Sequence, residues 1–118
     1  MEAYATANGK LWLAYGDRKA LDGYLAATAL TPLSDDTLTG REVLLAEMDR
    51  IRENGFATNR GEREVGLGAV AVPIFGRLGR MVAGISIFAP ANRMDAAAEE
   101  RALRLLRETA EKAGALFQ

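Results

Sequence analysis

The sequence predicts one α+β domain in which helices surround an antiparallel β-hairpin. Two apolar runs, over residues 65–74 and 81–88, flank the turn residues Gly76–Arg80, and apolar runs bounded in this way are typical of paired strands. Four segments before and after the hairpin have apolar residues three and four positions apart, as amphipathic helices do. The 118 residues suit a single domain, residues 1–118, with enough buried surface for one core.

One position in the hairpin is polar. Both alternate sets of side chains in the first strand are apolar, which predicts a central strand covered on each face. The second strand divides into two sets: Met81, Ala83, Ile85 and Ile87 on one face, and Val82, Gly84, Ser86 and Phe88 on the other. The Ser86 hydroxyl requires a hydrogen-bond partner. Ser86 is therefore either a satisfied serine of the core or, beside Gly84, part of a small-molecule pocket.

The first predicted helix spans residues 6–15 and has a glycine in its first turn. Gly9 costs about 1 kcal/mol of helix propensity relative to alanine, which close approach of another backbone or of a ligand would offset. The unpaired amides of a first turn carry partial positive charge. A carboxylate near Ala7, Asn8 and Gly9 would therefore be favoured. The alternative is a helix that is simply packed tightly at this point.

Two further helices precede the hairpin. Asp17 is expected to cap the second helix, which runs to about Ala27, and residues 30–36 are expected to form a loop. A capping box at residues 39–42, with Thr39 as the cap, predicts the start of the third helix, and Gly55 its end. Four charged residues of this helix are expected to face solvent: Glu47, Asp49, Arg50 and Glu53. A short strand over residues 56–58 then leads into the hairpin at the edge of the sheet.

The last helix begins after Pro90, with Asp95 as its cap. Its apolar stripe consists of Leu103, Leu106, Ala110, Ala113 and Phe117. The spacing is that of a coiled coil as well as that of a core-facing helix. The stripe therefore packs against this chain's own sheet or against a second copy of the chain.

Composition excludes several classes of function. The chain has no His and no Cys, so it cannot form a catalytic triad, a cysteine nucleophile or a zinc site with the usual ligands. We expect no metal, no cofactor and no catalytic residues. Fifteen basic and 16 acidic residues give a net charge of −1, which does not favour direct DNA binding or an anionic membrane surface. No secretory signal or membrane-spanning stretch is evident, which indicates a cytoplasmic setting.

Several motifs resemble, in their order and spacing, the effector-binding domain of IclR-type transcriptional regulators. These motifs are Ala5–Ala14, Thr37–Thr39, Arg52–Ala57, Glu62–Gly66, Ala71–Phe75 and Ser86–Ile87. The resemblance covers the chain from Ala5 to about Phe117. It implies a GAF-like domain, with an antiparallel sheet between helices, that binds a small organic or aromatic acid and helps to assemble homo-oligomers.

The resemblance also implies which residues border the ligand. The family's T-A-x-G-K motif corresponds to Thr6–Lys10, so the backbone of Ala7, Asn8 and Gly9 would lie beside the effector. The other implied ligand-binding positions are Asn59, Ala69, Ser86 and Phe88, where the family often has an aspartate, a cysteine and two serines. Alanine and phenylalanine make this pocket less polar, so we expect a ligand with an apolar body and one anionic or polar end. Asn59 could equally form a local turn.

Two functions remain open at this stage. The first is a ligand-sensing regulatory domain whose effector changes its oligomeric state, and the second is an oligomerisation module without a ligand. An enzyme that uses Glu62 ranks well behind both. The family's DNA-binding winged helix and the segment before T-A-x-G-K have no counterpart here, so the chain resembles a carboxy-terminal piece, truncated at its amino-terminal side. The missing strands would leave a sheet edge for a second copy to cover.

Overall fold

The computed structural model describes residues 3–30, 37–61 and 66–117. In this part of the chain a short 3-10 turn, Ala3–Ala5, precedes four helices and three strands. The helices are α1 (Ala7–Tyr15), α2 (Arg18–Ala27), α3 (Arg41–Asn54) and α4 (Ala96–Ala115), and the strands are β1 (Ala57–Arg60), β2 (Leu67–Phe75) and β3 (Met81–Pro90). The sheet is antiparallel with the order β1-β2-β3. The predicted α+β class and the hairpin are thus confirmed.

Helix ends follow the local chemistry of the sequence. Asp17 and Asp95 cap α2 and α4 as predicted, through side-chain oxygens that accept from Lys19 N and Ala98 N. Gly55 ends α3 in the left-handed conformation, with φ of 82°. The predicted capping box at Thr39 is wrong. Gly40 is the cap of α3 and makes no side-chain bond, so the helix begins one residue later and the Glu at position 42 is too close to reach back to the cap.

The core lies on both faces of the sheet. On one face, side chains of α1, α2 and α3 pack with Ala57 and Ala71. On the other face, Val70 and Val72 of β2 pack against Leu106 of α4. The central position of β2 and the apolar character of both its faces are therefore confirmed. Leu106 is buried within the chain, so at this position the α4 stripe faces the chain's own sheet, and Phe117 lies beyond the helix end and is half exposed.

A β-bulge changes the predicted faces of β3. Ala83 pairs with Ile74, but Met81 pairs with the next residue, Phe75, so Val82 is an extra residue in the ladder. Met81 was predicted to share a face with Ile85 and Ile87. Because the bulge reverses the alternation, Met81 packs instead with the cluster beneath α1, whereas Ile85 and Ile87 pack with the cluster beneath α4.

Three sequence predictions fall wholly or partly outside the described residues. They are the loop at 30–36, the hairpin residue Val65, and the motif Glu62–Gly66 with the enzyme candidate Glu62. The short strand before the hairpin extends two residues further than predicted, to Arg60, which brings Asn59 inside the sheet.

Candidate functional site

The first turn of α1 is fixed by its own cap. Thr6 has extended backbone angles, and its hydroxyl accepts a 3.0 Å hydrogen bond from Gly9 N. Ala7 and Gly9 are buried, while Asn8 is partly buried. The amide of Gly9, one of the three that the sequence offered to a carboxylate, is therefore already bonded within the helix.

The opening of α1 and the polar position of β3 meet. Asn8 Nδ2 donates to Ser86 Oγ across 3.2 Å, a contact between residues 78 positions apart in the chain. The sequence predicted that these two elements lie together. It did not predict that the Asn8 side chain itself would occupy the space beside Ser86.

Gly84 makes this contact possible. A Cβ placed on Gly84 would lie 2.5 Å from Asn8 Oδ1 and 3.3 Å from the side chains of Leu11 and Met81. Asn8 Oδ1 is buried in this notch and has no hydrogen-bond partner among the described residues. The carboxamide is therefore satisfied at one end and unsatisfied at the other, which is an unusual arrangement for a buried polar group.

The remaining predicted residues share one face of the sheet. Asn59, Ala69 and Phe88 lie directly opposite one another on β1, β2 and β3. The next row on the same face contains Ala71 and Ser86, because residues two apart on a strand point to the same side. Strand register thus brings the four sheet positions of the predicted site to one face of the sheet, the face on which Asn8 of α1 contacts Ser86.

Two of these residues have surroundings that the sequence did not indicate. Asn59 Nδ2 donates to Ala5 O at 2.7 Å, which ties β1 to the 3-10 turn, Ala3–Ala5. This bond spans 54 positions rather than closing a local turn. Phe88 is 71% exposed, so most of its ring faces solvent and does not line an enclosed cavity.

Lys10 is a site residue that the sequence interpretation missed. Its side chain is fully buried, and Nζ lies 3.0 Å from Glu47 Oε2 on α3. Glu47, which we predicted to face solvent, accepts from both Lys10 and Arg50. Burial alone would raise the pKa of Glu47, but the two cations hold this pKa below its ordinary value.

The spacing in α1 contained a signal for Lys10. Positions 7, 10, 11 and 14 repeat as i, i+3, i+4 and i+7, so Lys10 belongs to the same helical face as the apolar residues of α1. A lysine on such a face needs an anionic partner, and α3 supplies it.

The carboxy-terminal end of α1 is also bonded to α3. Tyr15 Oη donates to Ile51 O at 3.2 Å, and Arg52 Nη1 donates to Ala14 O at 2.9 Å. Burial raises the pKa of the Tyr15 hydroxyl, and Arg52 partly opposes this effect. With Lys10, these contacts hold α1 at a fixed position above the sheet.

A separate groove of about 460 Å³ lies between α3 and β1. It is lined by Leu38, Glu47, Arg50, Ile51, Asn54, Phe56, Thr58 and Arg60. None of the seven predicted ligand-binding residues borders this groove. Its two arginines bond to carboxylates of the chain, Arg50 to Glu47 and Arg60 to Glu99, so their charges are already compensated.

Neither a metal-ligating cluster nor a membrane-spanning helix occurs among the described residues. Within residues 3–30, 37–61 and 66–117, no group of three or more acidic side chains is arranged to hold a metal ion. In the same ranges, no helix has the length and apolar character needed to cross a bilayer.

Comparison with known proteins shows which family has this geometry. The family described as "Bacterial transcriptional regulator IclR C-terminal" matches residues 1–115. The chain belongs to this family. The IclR resemblance predicted from the motifs is therefore confirmed. The family's members are transcriptional regulators, so the IclR domain described here is a regulatory domain and not an enzyme.

Individual relatives agree with this assignment. The HTH-type transcriptional regulator KdgR of Escherichia coli is 35% identical over 112 residues, covering 95% of this chain and 43% of KdgR. The crystal structure of Thermotoga maritima IclR matches with a TM-score of 0.91 and 36% identity, over 98% of this chain and 47% of that one. The chain thus spans less than half the length of these relatives.

One related structure contains a ligand. The inducer-binding domain of the PobR transcription factor from Acinetobacter, as a double mutant in complex with 3-hydroxybenzoic acid, matches with a TM-score of 0.89. It is 28% identical and the match covers 96% of this chain and 65% of that domain.

Proposed function

We propose that this IclR domain senses a small organic or aromatic acid at the face where α1 meets the sheet. The observation that carries the proposal is the contact between Asn8 and Ser86, which joins the helix opening to the one polar position of β3. The complex of the PobR inducer-binding domain with 3-hydroxybenzoic acid supports an aromatic acid as the ligand class.

Each part of the site has a chemical role in this proposal. The Ser86 hydroxyl donates to the carboxylate of the ligand, and the amino-terminal end of α1, with Ala7, Asn8 and Gly9, favours its negative charge. Ala69 and Phe88 lie beside the apolar body of the ligand. Asn59, at the far end of the same row, contacts a second polar group if the ligand has one.

We further propose that effector binding changes how copies of the domain associate. A ligand shifts such an equilibrium by the difference between its affinities for the two states. The DNA contact would then be made by another part of a cytoplasmic regulator and not by this chain, which would also stay clear of the membrane.

A second candidate is an oligomerisation module without a ligand. Several large apolar side chains are exposed on the domain, and they include Leu78, Phe88, Leu105, Leu116 and Phe117. Exposed apolar groups of this kind favour association. For this candidate, sedimentation would show an oligomer whose stability is independent of every acid tested.

Isothermal titration calorimetry with a panel of organic acids, including benzoate, 3-hydroxybenzoate and pyruvate, tests the sensing function. We expect one class to bind, and Ser86→Ala to weaken it about tenfold or more because a charge-assisted hydrogen bond is lost. Thr109→Ala is the matched control, since it removes an exposed hydroxyl that bonds only to Leu105 O of α4. The sensing function is wrong if no acid binds, or if Ser86→Ala and Thr109→Ala both change the stability of the domain without changing its affinity for the acid.

A further inference from the structure

The Asn8 carboxamide is hydrogen-bonded to Ser86, yet its own position is unfavourable. Nδ2 donates to Ser86 Oγ, while Oδ1 is buried against Gly84 and has no donor in the part of the chain that the structure describes. The side chains closest to this notch, Leu11 and Met81, offer no strong hydrogen-bond donor. A buried acceptor without a donor loses its hydration and gains nothing in return.

Rotating the Asn8 carboxamide by half a turn does not remove the free-energy cost of its unpaired polar end. With the amide turned over, Oδ1 would accept from the Ser86 hydroxyl and the NH₂ group would face Gly84. One polar end of Asn8 therefore stays unpaired in either orientation. The side chain is held beside Ser86 by one neutral hydrogen bond and by the lack of a Cβ at position 84.

We propose that Asn8 is a built-in competitor for the polar end of the effector site, because its side chain occupies the space beside Ser86 until an effector carboxylate displaces it. This inference rests on the proposed sensing function and assigns Asn8 a role in setting its affinity. Asn8 is a positioning and threshold residue, and Ser86 is the residue that binds the ligand.

The exchange is favourable for an acid. Asn8 donates to Ser86 Oγ, so the Ser86 O–H is not used by Asn8, and the competition is for the space beside the hydroxyl. A carboxylate in that space accepts a charge-assisted bond from Ser86, which is stronger than the neutral bond that Asn8 makes with it. Asn8 is partly exposed, so its released carboxamide turns toward solvent, where water satisfies both polar ends. Until then, the bonded state lowers the apparent affinity of every ligand that needs Ser86, in proportion to the fraction of molecules in which the space beside Ser86 is free.

Only the side chain needs to move. The first turn of α1 is held by the bond from Gly9 N to Thr6 Oγ1 and by the Lys10 to Glu47 ion pair. Neither contact involves Asn8. Displacement therefore leaves α1 in place.

The contact itself is tested without ligand by NMR of side-chain amides in the 118-residue chain. The Asn8 pair, assigned from its loss in Asn8→Ala, should shift when Ser86 is replaced by alanine. The Asn59 pair, which bonds to Ala5 O, is the internal control and should shift less. An Asn8 pair that is unchanged by Ser86→Ala would overturn the proposal.

Competition is tested by calorimetric titration with 3-hydroxybenzoate as the probe. Asn8→Ala should bind it about threefold to tenfold more tightly than the unmodified chain, because no neutral hydrogen bond has to break before the acid enters the space beside Ser86. In the Ser86→Ala background the same substitution should give no gain, since the Asn8 carboxamide is then no longer held beside position 86.

The outcomes separate this inference from the sensing function. Weaker or unchanged binding by Asn8→Ala, or an equal gain in both backgrounds, overturns the competitor role while sensing stands. A probe that binds none of the four proteins removes both the sensing of this acid and the competitor role. Tighter binding that requires Ser86 supports both.

Discussion

Lys10 Nζ and Glu47 Oε2 lie 3.0 Å apart, and this ion pair joins the helix that begins the site to the helix beneath it. Lys10 is fully buried, whereas Glu47 keeps some contact with solvent and also bonds to Arg50. The two partners are therefore unequal. Removing the carboxylate takes an ion-pair partner from a fully buried cation, but removing the lysine leaves Glu47 with water and Arg50.

Glu47→Gln should destabilise the domain by roughly 3 kcal/mol, because it breaks a buried ion pair by removing one partner. Lys10→Met should destabilise the domain less, because the methionine side chain is apolar and has a volume similar to that of the buried lysine methylenes it replaces. Denaturant unfolding measures both values. Glu53→Gln, on the exposed side of the same helix, is the matched control and should stay within about 0.5 kcal/mol. Equal costs for Glu47→Gln and Glu53→Gln would contradict this role.

The ion pair also predicts a pH dependence. The pKa of Glu47 is lower in the folded chain than its ordinary value of 4.5, so the folded state binds this proton less readily than the unfolded state. The contribution of ionised Glu47 to the stability of the fold is thus fully present above about pH 5 and is lost as the pH falls through the lowered pKa. The free energy of unfolding, measured from pH 7 to pH 3, should fall less steeply in Glu47→Gln than in the unmodified chain. Equally steep falls in the two proteins would show that Glu47 does not contribute to the loss of stability in acid.

Gly84→Ala should expel the Asn8 side chain from its notch. The added Cβ would lie 2.5 Å from Asn8 Oδ1, a distance that requires movement, and we expect a loss of about 1–3 kcal/mol. The same substitution in an Asn8→Ala background should cost clearly less, because only the contacts of 3.3 Å to Leu11 and Met81 remain. Thermal unfolding of the four proteins gives this coupling. Equal losses in both backgrounds would mean that Asn8 does not fill the notch.

Asn59 should stabilise the turn before α1 through its donor group. Asn59→Ala removes the bond to Ala5 O and should cost about 1–2 kcal/mol. Asn59→Asp keeps the size but replaces the donor with an acceptor, so it should cost at least as much. Hydrogen exchange of residues 3–10 reports the loosening directly. A fully stable Asn59→Asp variant would show that the donor is unimportant.

Two adjacent leucines of α4 differ in burial, so substitutions at these positions distinguish an effect on folding from an effect on association. Leu106 is 5% exposed and Leu105 is 57% exposed. Leu106→Asp should destabilise the fold by about 3 kcal/mol or more, because it places a carboxylate in the core, so it cannot serve as a test of an interface. Leu105→Asp should leave stability nearly unchanged. If α4 contributes to an oligomer, sedimentation should show that the Leu105→Asp oligomer dissociates more readily than that of the unmodified chain. An oligomer mass that is unchanged by Leu105→Asp would place the interface elsewhere.

Sequence periodicity predicted the parts of the fold that depend on local chemistry. The caps at Asp17 and Asp95, the glycine that ends α3 and the central position of β2 all follow from residue types at fixed spacing. The bulge at Val82 was not predictable, because it depends on how the turn after Phe75 sets the register of the two strands.

The ligand-binding role of the candidate site residues stays a prediction, and their arrangement came from the structure. Strand register brings Asn59, Ala69 and Phe88 to one row, which the motif spacing alone did not indicate. The direct bond from Asn8 to Ser86 and the pairing of Lys10 with Glu47 arise from the packing of α1 on the sheet and on α3. Such tertiary distances are not encoded in the spacing of any one element.

The most direct test of the account is an NMR titration of the chain with 3-hydroxybenzoate, followed through its backbone and side-chain amides. We expect the largest shifts at Asn8, Gly84 and Ser86, and we expect Ser86→Ala to raise the acid concentration needed for them about tenfold or more. Saturable shifts confined to Arg50, Thr58 and Arg60 in the groove between α3 and β1, or no shifts at millimolar acid, would contradict it.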